Sequence, residues 1–385
     1  MRHTLYWGDV MKKLLAVVLS LSLVMLAPFP ARAEGSPDTS AQAFVLYCVE
    51  NGEIILSKNE SKAMKPASTT KLMTVLLTLE EAAKNDRVVT FTGEMTAEGS
   101  SMYLKVGEKV RLSDLAAGMM MCSGNDAANA AAVAIGGSKE RFAELMNRRA
   151  EQIGMAHTHF VTPSGLDDDR HYTTAYDLAL LMAEGLQNKD FADLTFQKSA
   201  GVAFAEPAGK QITYSNHNRL LRMYDDCIGG KTGYTSEAGR CLVSAARRGG
   251  VTLVCVTLDD KDDWNDHIAL YDYGFEHRGA YHSADGSLCL EVPCVGGEQD
   301  SLTVMGDSDA VLIVPHGKED EVRRTICLDS FVYAPVSEDE ALGHIDYTLD
   351  GRLLKSTALR AAEDVPRQKI KHKLLRRIKE SFTYG

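Results

Sequence analysis

The chain has 385 residues with a formal net charge of −11, and 45% of its residues are hydrophobic. That length is enough for a large buried core and for more than one domain. Residues 1–33 carry a net charge of +3, so the remaining 352 residues carry −14. Such acidity argues against nucleic-acid binding, for which a basic patch is typical.

The N-terminus has the pattern of a secretion signal. Met11-Lys12-Lys13 opens a basic region, the stretch 14–26 is apolar, and Ala31-Arg32-Ala33 supplies small residues at a cleavage site. The apolar run is shorter than a membrane-spanning helix requires. We therefore predict that residues 1–33 form a signal peptide that is removed on export, with Met1 or Met11 as the start.

The first predicted element after the signal is a β-hairpin. The apolar runs Ala43–Val49 and Ile54–Ser57 flank Asn51-Gly52, which is the strongest short hairpin signal. We expect this hairpin to share one antiparallel sheet with the strands predicted near 231–258.

A helix predicted over 68–83 begins with Ser68-Thr69-Thr70-Lys71. A spacing of three residues places Ser68 and Lys71 on one face, one turn apart. A serine hydroxyl is a poor nucleophile unless a neighbouring group takes its proton. Lys71 can do so only if its pKa falls from about 10.4 towards 7–8. The alternative is an ordinary helix that Ser68 caps, with Lys71 in solvent.

The segment 113–153 predicts further helices, with a tight connection at Ser123-Gly124-Asn125. Ser113 is the expected cap of the first helix, and Asn125 or Asp126 the cap of the next. At such a connection a hydroxyl can relay a proton and a side-chain amide can bind a peptide group. The alternative is that these three are simply turn residues.

Lys231-Thr232-Gly233 precedes two apolar strand patterns, 241–246 and 251–256. On an edge strand the lysine and threonine can receive a substrate carboxylate, while the glycine lets an extended substrate approach the backbone. A plain loop lysine is the alternative. With helices predicted over 174–186 and 264–274, these elements indicate an α+β domain.

The composition changes after residue 281. Short strand-like runs separated by turn signals predict a small β-rich domain over 282–365, in which we find no catalytic constellation. Residues 366–385 then carry +6, and apolar residues recur at every fourth position from Ile370 to Phe382. This pattern predicts a basic amphipathic helix that binds an anionic membrane surface. A solvated or self-packed terminal helix is the alternative.

The three short motifs occur in the order S-x-x-K, S-x-N and K-T-G, the set of penicillin-binding proteins and class A β-lactamases. The chain resembles the D-alanyl-D-alanine carboxypeptidases among the low-molecular-mass penicillin-binding proteins, over roughly residues 40 to 365. The resemblance implies a penicillin-binding transpeptidase/β-lactamase-like catalytic domain over 34–281. It also implies a stalk-like β-rich domain over 282–365 and a C-terminal membrane anchor over 366–385. Other family-like stretches are 65–71, 99–102, 123–128, 162–166, 171–177 and 216–221.

The resemblance also implies a role for each motif residue. Ser68 would form the acyl-enzyme and Lys71 would activate it. Ser123 and Lys231 would assist proton transfer to the leaving D-alanine, and Asn125 would hold the substrate's peptide carbonyl. The terminal carboxylate would face the pair Lys231 and Thr232, and the oxyanion hole would use the backbone N–H groups of Ser68 and Tyr234, the latter following Gly233.

The implied substrate is a peptidoglycan stem peptide ending in D-Ala-D-Ala, and β-lactam antibiotics are the implied covalent inhibitors. The protein would act at the extracytoplasmic face of the bacterial plasma membrane, attached peripherally. Two departures stand out: Tyr234 replaces a histidine found in some relatives, and an arginine that some relatives place downstream is not evident in 259–266.

Two other functional classes share these motifs. A class A β-lactamase deacylates with a glutamate on the loop before K-T-G, but this chain offers Asp167, Asp168 and Asp169 there. A non-catalytic penicillin-binding sensor or wall-binding protein is the second alternative, against which three intact motifs argue.

We predict no metal and no other cofactor, because the eleven histidines show no ligand-like clustering in the sequence. Cys48, Cys241 and Cys255 fall in apolar strand patterns, which favour buried thiols over disulfides. Cys122 adjoins Ser123, and we interpret it as a packing residue.

Overall fold

The computed structural model describes residues 35–369. The chain divides into two compact units after Asp38, and the fold given below is that of the second unit, which begins at Thr39. The predicted signal peptide therefore lies outside the described residues. Across 35–369, none of the helices combines the length and the apolarity that a membrane crossing requires.

A five-stranded antiparallel sheet forms the centre of the N-terminal domain. Its order is β2-β1-β9-β8-β7, with β7 at the edge as predicted. The predicted hairpin is confirmed, and Gly52 in its turn has a φ of +71°. The strands are β1 Ala43–Cys48, β2 Glu53–Lys58, β7 Cys227–Thr235, β8 Gly239–Arg248 and β9 Val251–Leu258.

Helices cover both faces of this sheet, which is why every residue of β1 is buried. Val45 and Tyr47 join a large core with most of the helices, whereas Phe44 and Leu46 face the last helix. The helices predicted over 68–83, 113–153, 174–186 and 264–274 are present. They are α1 Lys71–Lys84, α2 Leu112–Cys122, α3 Asn125–Gly136, α4 Lys139–Ile153, α5 Ala175–Gln187, α6 Lys189–Phe196, α7 Leu220–Met223 and α8 Asp263–His277.

Two smaller antiparallel pairs lie beside these helices. One joins β3 Val88–Thr90 to β4 Lys109–Arg111, and the other joins β5 Ser199–Ala203 to β6 Gln211–Ser215.

The predicted helix caps were wrong. Helix α2 begins at Leu112, so Ser113 lies inside it and donates its hydroxyl to the Asp86 carboxylate at 2.7 Å. Helix α3 begins at Asn125 with Gly124 as its cap residue. Asp126 instead accepts backbone N–H groups of the loop 101–104, at 2.8 Å from Met102 and 3.0 Å from Leu104. Its carboxylate therefore holds that loop against the start of α3.

The predicted β-rich domain is present as a six-stranded sheet of order β14-β16-β17-β12-β11-β15. It has its own core, which includes Val304, Ile345 and Leu359. Strand β10, Arg278–His282, follows α8 directly and pairs with β13, so it crosses the predicted boundary at 281. The strands are β11 Cys289–Val295, β12 Ser301–Gly306, β13 Val311–Pro315, β14 Arg323–Leu328, β15 Val332–Tyr333, β16 Ala341–Leu349 and β17 Arg352–Ala361.

The chain from 365 to 368 is extended and tied to the β-rich domain. Val365 forms a β-bridge with Val336, and Arg367 forms one with Gly297. The Gln368 N–H donates to the Gly296 carbonyl at 2.9 Å. Residues 370–385, which hold most of the predicted basic helix, lie outside the described residues.

Candidate active site

Ser68 lies on a 3-10 turn, Ala67–Thr70, that leads directly into α1. Its Oγ accepts a hydrogen bond of 2.8 Å from the Lys71 Nζ, so the predicted pairing of hydroxyl and amine is present. Ala67 has a φ of +49°, a strained conformation for a residue with a side chain. The strain is located beside the candidate nucleophile.

Lys71 is fully buried, and its Nζ also donates to the Ser164 carbonyl at 2.7 Å. Burial, and then the nearby charge of Lys231, lower the pKa of Lys71 well below its ordinary value. This is the direction that general-base chemistry requires. The stretch 162–166 belongs to the family resemblance, but nothing in its sequence indicated that Ser164 positions the base.

A second hydroxyl–amine pair lies at the end of α2. Ser123 is the C-terminal cap of that helix, with a left-handed φ of +59°. Its Oγ accepts a hydrogen bond of 3.1 Å from the Lys231 Nζ, which also donates to the Thr232 carbonyl at 2.8 Å. Burial lowers the pKa of Lys231 to about 7. The three motifs thus contribute two serine–lysine pairs to one site.

Asn125 is buried where α3 begins. Its Nδ2 donates to the Glu98 carbonyl at 2.7 Å, and its backbone N–H donates to the Ser100 carbonyl at 2.7 Å. The buried Oδ1 has no hydrogen-bond partner. One amide proton and the Oδ1 therefore make no hydrogen bond within the described residues, and Asn125 lies beneath the surface of the site, at 4% exposure.

The structure gives Gly233 a second role beside the one predicted from the sequence. A Cβ at this position would lie 3.0 Å from each of three backbone atoms, the Pro66 oxygen and the Ser68 and Thr69 nitrogens. The glycine is thus required to seat β7 against the turn that carries Ser68. Thr232 is half-buried and Tyr234 is 67% exposed, at the edge of the sheet.

An open cleft of about 450 Å³ lies over these residues. Its lining includes five residues to which the sequence assigned no role in the site, namely Ser100, His217, Arg240, Asp263 and Trp264. The lining residues are Ser68, Ser100, Ser123, His217, Thr232, Gly233, Tyr234, Arg240, Asp263 and Trp264. A larger cavity of about 1000 Å³ lies between the N-terminal hairpin and the β-rich domain, but none of the three motifs lines it.

Arg240 reaches the cleft because of strand register. It lies directly opposite Tyr234 in the β7–β8 pair, and its guanidinium forms a two-point ion pair with Asp263. The guanidinium carbon lies 5.9 Å from the centre of the Trp264 ring. We found no arginine in 259–266, yet the neighbouring strand supplies one. The sequence signal would have been the short connection between β7 and β8.

The cysteines and a separate polar cluster lie outside this chemistry. All eight cysteines are free thiols, as predicted for Cys48, Cys241 and Cys255. Burial raises the pKa of Cys122 to about 11, which suits a packing residue. A separate polar cluster lies in the β-rich domain. Cys327, His344 and Asp346 lie on paired strands, and one potential metal-ligand atom of each lies within 4.8 Å of the others. Sequence spacing alone did not reveal this cluster.

Comparison with known proteins covers both domains. A family model described as D-alanyl-D-alanine carboxypeptidase matches residues 31–262, and one described as penicillin-binding protein 5, C-terminal domain, matches residues 281–367. The chain is 28% identical over 371 residues to the D-alanyl-D-alanine carboxypeptidase DacF of Bacillus subtilis (strain 168). The aligned region covers 92% of this chain and 95% of that protein. It is 30% identical over 368 residues to the D-alanyl-D-alanine carboxypeptidase DacC of Escherichia coli (strain K12), and the aligned region covers 90% of each protein.

The fold has a counterpart among solved structures. Penicillin-binding protein 5 from Haemophilus influenzae superposes with a TM-score of 0.71 and 29% identity, over 86% of this chain and 99% of that chain. This likeness confirms the predicted α+β fold with a β-rich C-terminal domain.

Proposed function

The chain belongs to the D-alanyl-D-alanine carboxypeptidase family, and from that premise we propose that it releases the terminal D-alanine of peptidoglycan stem pentapeptides through an acyl-enzyme on Ser68. The observation that carries this proposal is the 2.8 Å contact between the Ser68 Oγ and the buried Lys71 Nζ. Burial lowers the pKa of this lysine, which favours its taking the serine proton at the moment of attack.

Acylation would begin when the Ser68 Oγ adds to the carbonyl carbon of the penultimate D-alanine and its proton passes to the Lys71 Nζ. The oxyanion would lie between the backbone N–H groups of Ser68 and Tyr234, and each such donor is worth about 3–4 kcal/mol in known cases. Asn125 would bind a peptide group of the substrate through its free amide proton.

Collapse of this intermediate breaks the bond between the carbonyl carbon and the leaving nitrogen. The leaving amine needs a proton, which the Ser123 hydroxyl can supply and the Lys231 Nζ, 3.1 Å away, can replace. Water then adds to the acyl-enzyme, which releases the shortened peptide and restores Ser68. A β-lactam would acylate Ser68 in the same way and remain attached.

The residues of the site argue against the two alternative functions, a class A β-lactamase and a non-catalytic sensor. The cleft lining contains no glutamate, whereas a class A β-lactamase uses one for deacylation. A sensor without activity would not need two lysines buried against two serines.

We also propose that the protein is exported and acts at the outer face of the plasma membrane. The signal-like pattern of residues 1–33 supports export, and the basic apolar pattern of the tail supports peripheral attachment. A peptidoglycan substrate lies in the same compartment.

The function is tested with the protein lacking residues 1–33, a peptide ending in D-Ala-D-Ala, and a labelled penicillin. We expect D-alanine release and stable labelling, and Ser68→Ala should abolish both. Ser236→Ala, an exposed serine close to β7 in sequence, is the matched control and should keep both activities. Rapid penicillin turnover would instead indicate a β-lactamase. Labelling without D-alanine release would indicate a sensor, and labelling of the Ser68→Ala variant would overturn the choice of nucleophile.

A further inference from the structure

The cleft contains one permanent positive charge that the acyl-transfer steps do not use. Of the ten residues that line it, Arg240 alone carries a side chain that stays cationic at any ordinary pH. The side chain is 45% exposed, while its partner Asp263 is 4% exposed. The aspartate is therefore behind the guanidinium and leaves it open to the cleft.

The ion pair occupies only part of the guanidinium. Asp263 accepts from the Arg240 Nε at 3.2 Å and from Nη2. An arginine has five N–H donors, so three remain, two on Nη1 and one on Nη2. The Trp264 ring beside the guanidinium further restricts its position. These contacts hold the guanidinium in place and leave three of its N–H donors without a partner among these contacts.

Strand register places this fork next to Thr232. Thr232 pairs with Leu242, and Tyr234 pairs with Arg240, so Thr232 and Arg240 are diagonal neighbours on one face of the sheet. Their Cα atoms are then roughly 7–8 Å apart, a distance that an arginine side chain spans. An anion bound over the Thr232 hydroxyl lies within reach of the guanidinium.

Lys231 is poorly suited to hold that anion by itself. Its Nζ is buried and already donates to the Ser123 hydroxyl and the Thr232 carbonyl. Because burial lowers its pKa to about 7, its charge is also only partial near neutral pH. A substrate carboxylate needs a partner that stays charged, and the lining offers Arg240.

We propose that Arg240, held by Asp263 and Trp264, is the specificity residue that recognises the terminal carboxylate of the substrate. This inference rests on the proposed function and deepens it. It moves charge recognition from the lysine of K-T-G to the neighbouring strand β8, and it leaves Lys231 free for proton transfer.

The test compares two peptides that end in D-Ala-D-Ala, one with a free carboxylate and one with a terminal amide. In Arg240→Gln we expect kcat/KM for the carboxylate peptide to fall about 10- to 100-fold, mostly through KM. The amide peptide should change by less than about 3-fold, so the preference for the carboxylate shrinks. Arg240→Lys should restore part of it. Arg360→Gln is the matched control, because Arg360 is 40% exposed and pairs with Asp307 in the β-rich domain, far from the cleft lining.

Equal losses on both peptides would show a purely structural role for Arg240, and an unchanged preference would show no role in recognition. Either result overturns the inference while wild-type D-alanine release leaves the proposed function standing. If Arg240→Gln fails to fold, Asp263→Asn keeps the arginine but removes its anchor, and the same shrinking preference is expected. A wild-type protein that neither releases D-alanine nor labels with penicillin would instead defeat the proposed function itself.

Discussion

At the scale of single residues, the site depends on two lysines that the fold keeps out of water. Lys71 and Lys231 have no counter-ion among their hydrogen-bond partners, which are hydroxyl and carbonyl oxygens. Burial therefore disfavours the charged form of each, and the nearby charge of Lys231 further disfavours the charged form of Lys71. The arrangement makes a base of Lys71 at a pH where a free lysine is an acid.

This electrostatic coupling predicts the pH dependence of acylation. Only neutral Lys71 can accept the serine proton, so the rate of penicillin labelling should fall about tenfold per pH unit below its pKa. This fall in rate on the acidic side of the pH profile, the acid limb, should lie well below pH 10.5, which is the ordinary pKa of lysine. Replacing Lys231 by methionine removes a charge that lowers the Lys71 pKa, so the limb should move to higher pH.

The measurement is the labelling rate of wild type and Lys231→Met across a range of pH, with near-ultraviolet circular dichroism as the control for folding. A limb that stays in place or moves to lower pH would contradict the coupling. A rate independent of pH would contradict the role of Lys71 as base.

At the scale of elements, three backbone segments meet around Ser68. Strand β7 contacts the turn through Gly233, and the loop 162–166 contacts it through Gly165. A Cβ on Gly165 would lie 1.8 Å from the Ala67 oxygen, a distance that no side chain tolerates. This loop also supplies the Ser164 carbonyl that accepts from Lys71.

This contact predicts a difference between two glycines of similar conformation. Gly165 has a φ of +81° and Gly154 a φ of +90°, but nothing lies within 4 Å of a Cβ on Gly154. Gly154→Ala should lower the free energy of unfolding by only about 1–2 kcal/mol, because alanine must adopt the left-handed conformation there. Gly165→Ala adds the clash, typically about 1–3 kcal/mol more for an overpacked site, and should also slow penicillin labelling because Ser164 must move.

Urea unfolding followed by Trp264 fluorescence measures the first effect, since this tryptophan lies in α8 and the only other one, Trp7, is removed with residues 1–33. Equal destabilisation by the two alanines would contradict the close packing of the loop against the turn.

The same elements show what a sequence can and cannot predict. The hairpin at Asn51-Gly52 and the helix after Ser68 depend on local patterns, and both were predicted correctly. Arg240 was missed because its place in the cleft depends on pairing with Tyr234, which spacing alone does not reveal. The first five residues of strand β17 are all exposed, Leu353 included, so this half of the strand shows no alternation of buried and exposed positions that a sequence pattern could reveal.

At the scale of the whole molecule, the β-rich domain is joined to the catalytic domain by a continuous element. Helix α8 passes directly into β10, and β10 pairs with β13 of the second domain. The ion pair between Arg278 of β10 and Glu53 of β2 adds a contact to the N-terminal hairpin. The chain then leaves the β-rich domain through the extended residues 365–368.

The last prediction concerns the tail that follows this exit. The β-bridges of Val365 and Arg367 and the bond from Gln368 show that a truncation must come after Lys369 if the domain is to stay intact. Residues 370–385 still carry a net charge of +4. Each basic residue near anionic headgroups contributes about 1 kcal/mol, and the apolar positions of a helix would add to this. We therefore expect the protein without residues 1–33 to sediment with anionic vesicles and to be released by salt.

Truncation after Lys369 should abolish sedimentation and leave D-alanine release from small peptides unchanged, because none of the residues that line the cleft lies beyond Trp264. Vesicles of neutral lipid serve as the control, and binding to them should be weaker because the attraction between basic residues and anionic headgroups is lost. A second control is Ile378→Asp, which keeps the length of the tail but places a charge at one of its regularly spaced apolar positions, so binding should weaken. If the truncated protein still sedimented as well as the full-length form, the acidic remainder would hold the membrane site, and the tail would be free to serve a protein partner instead.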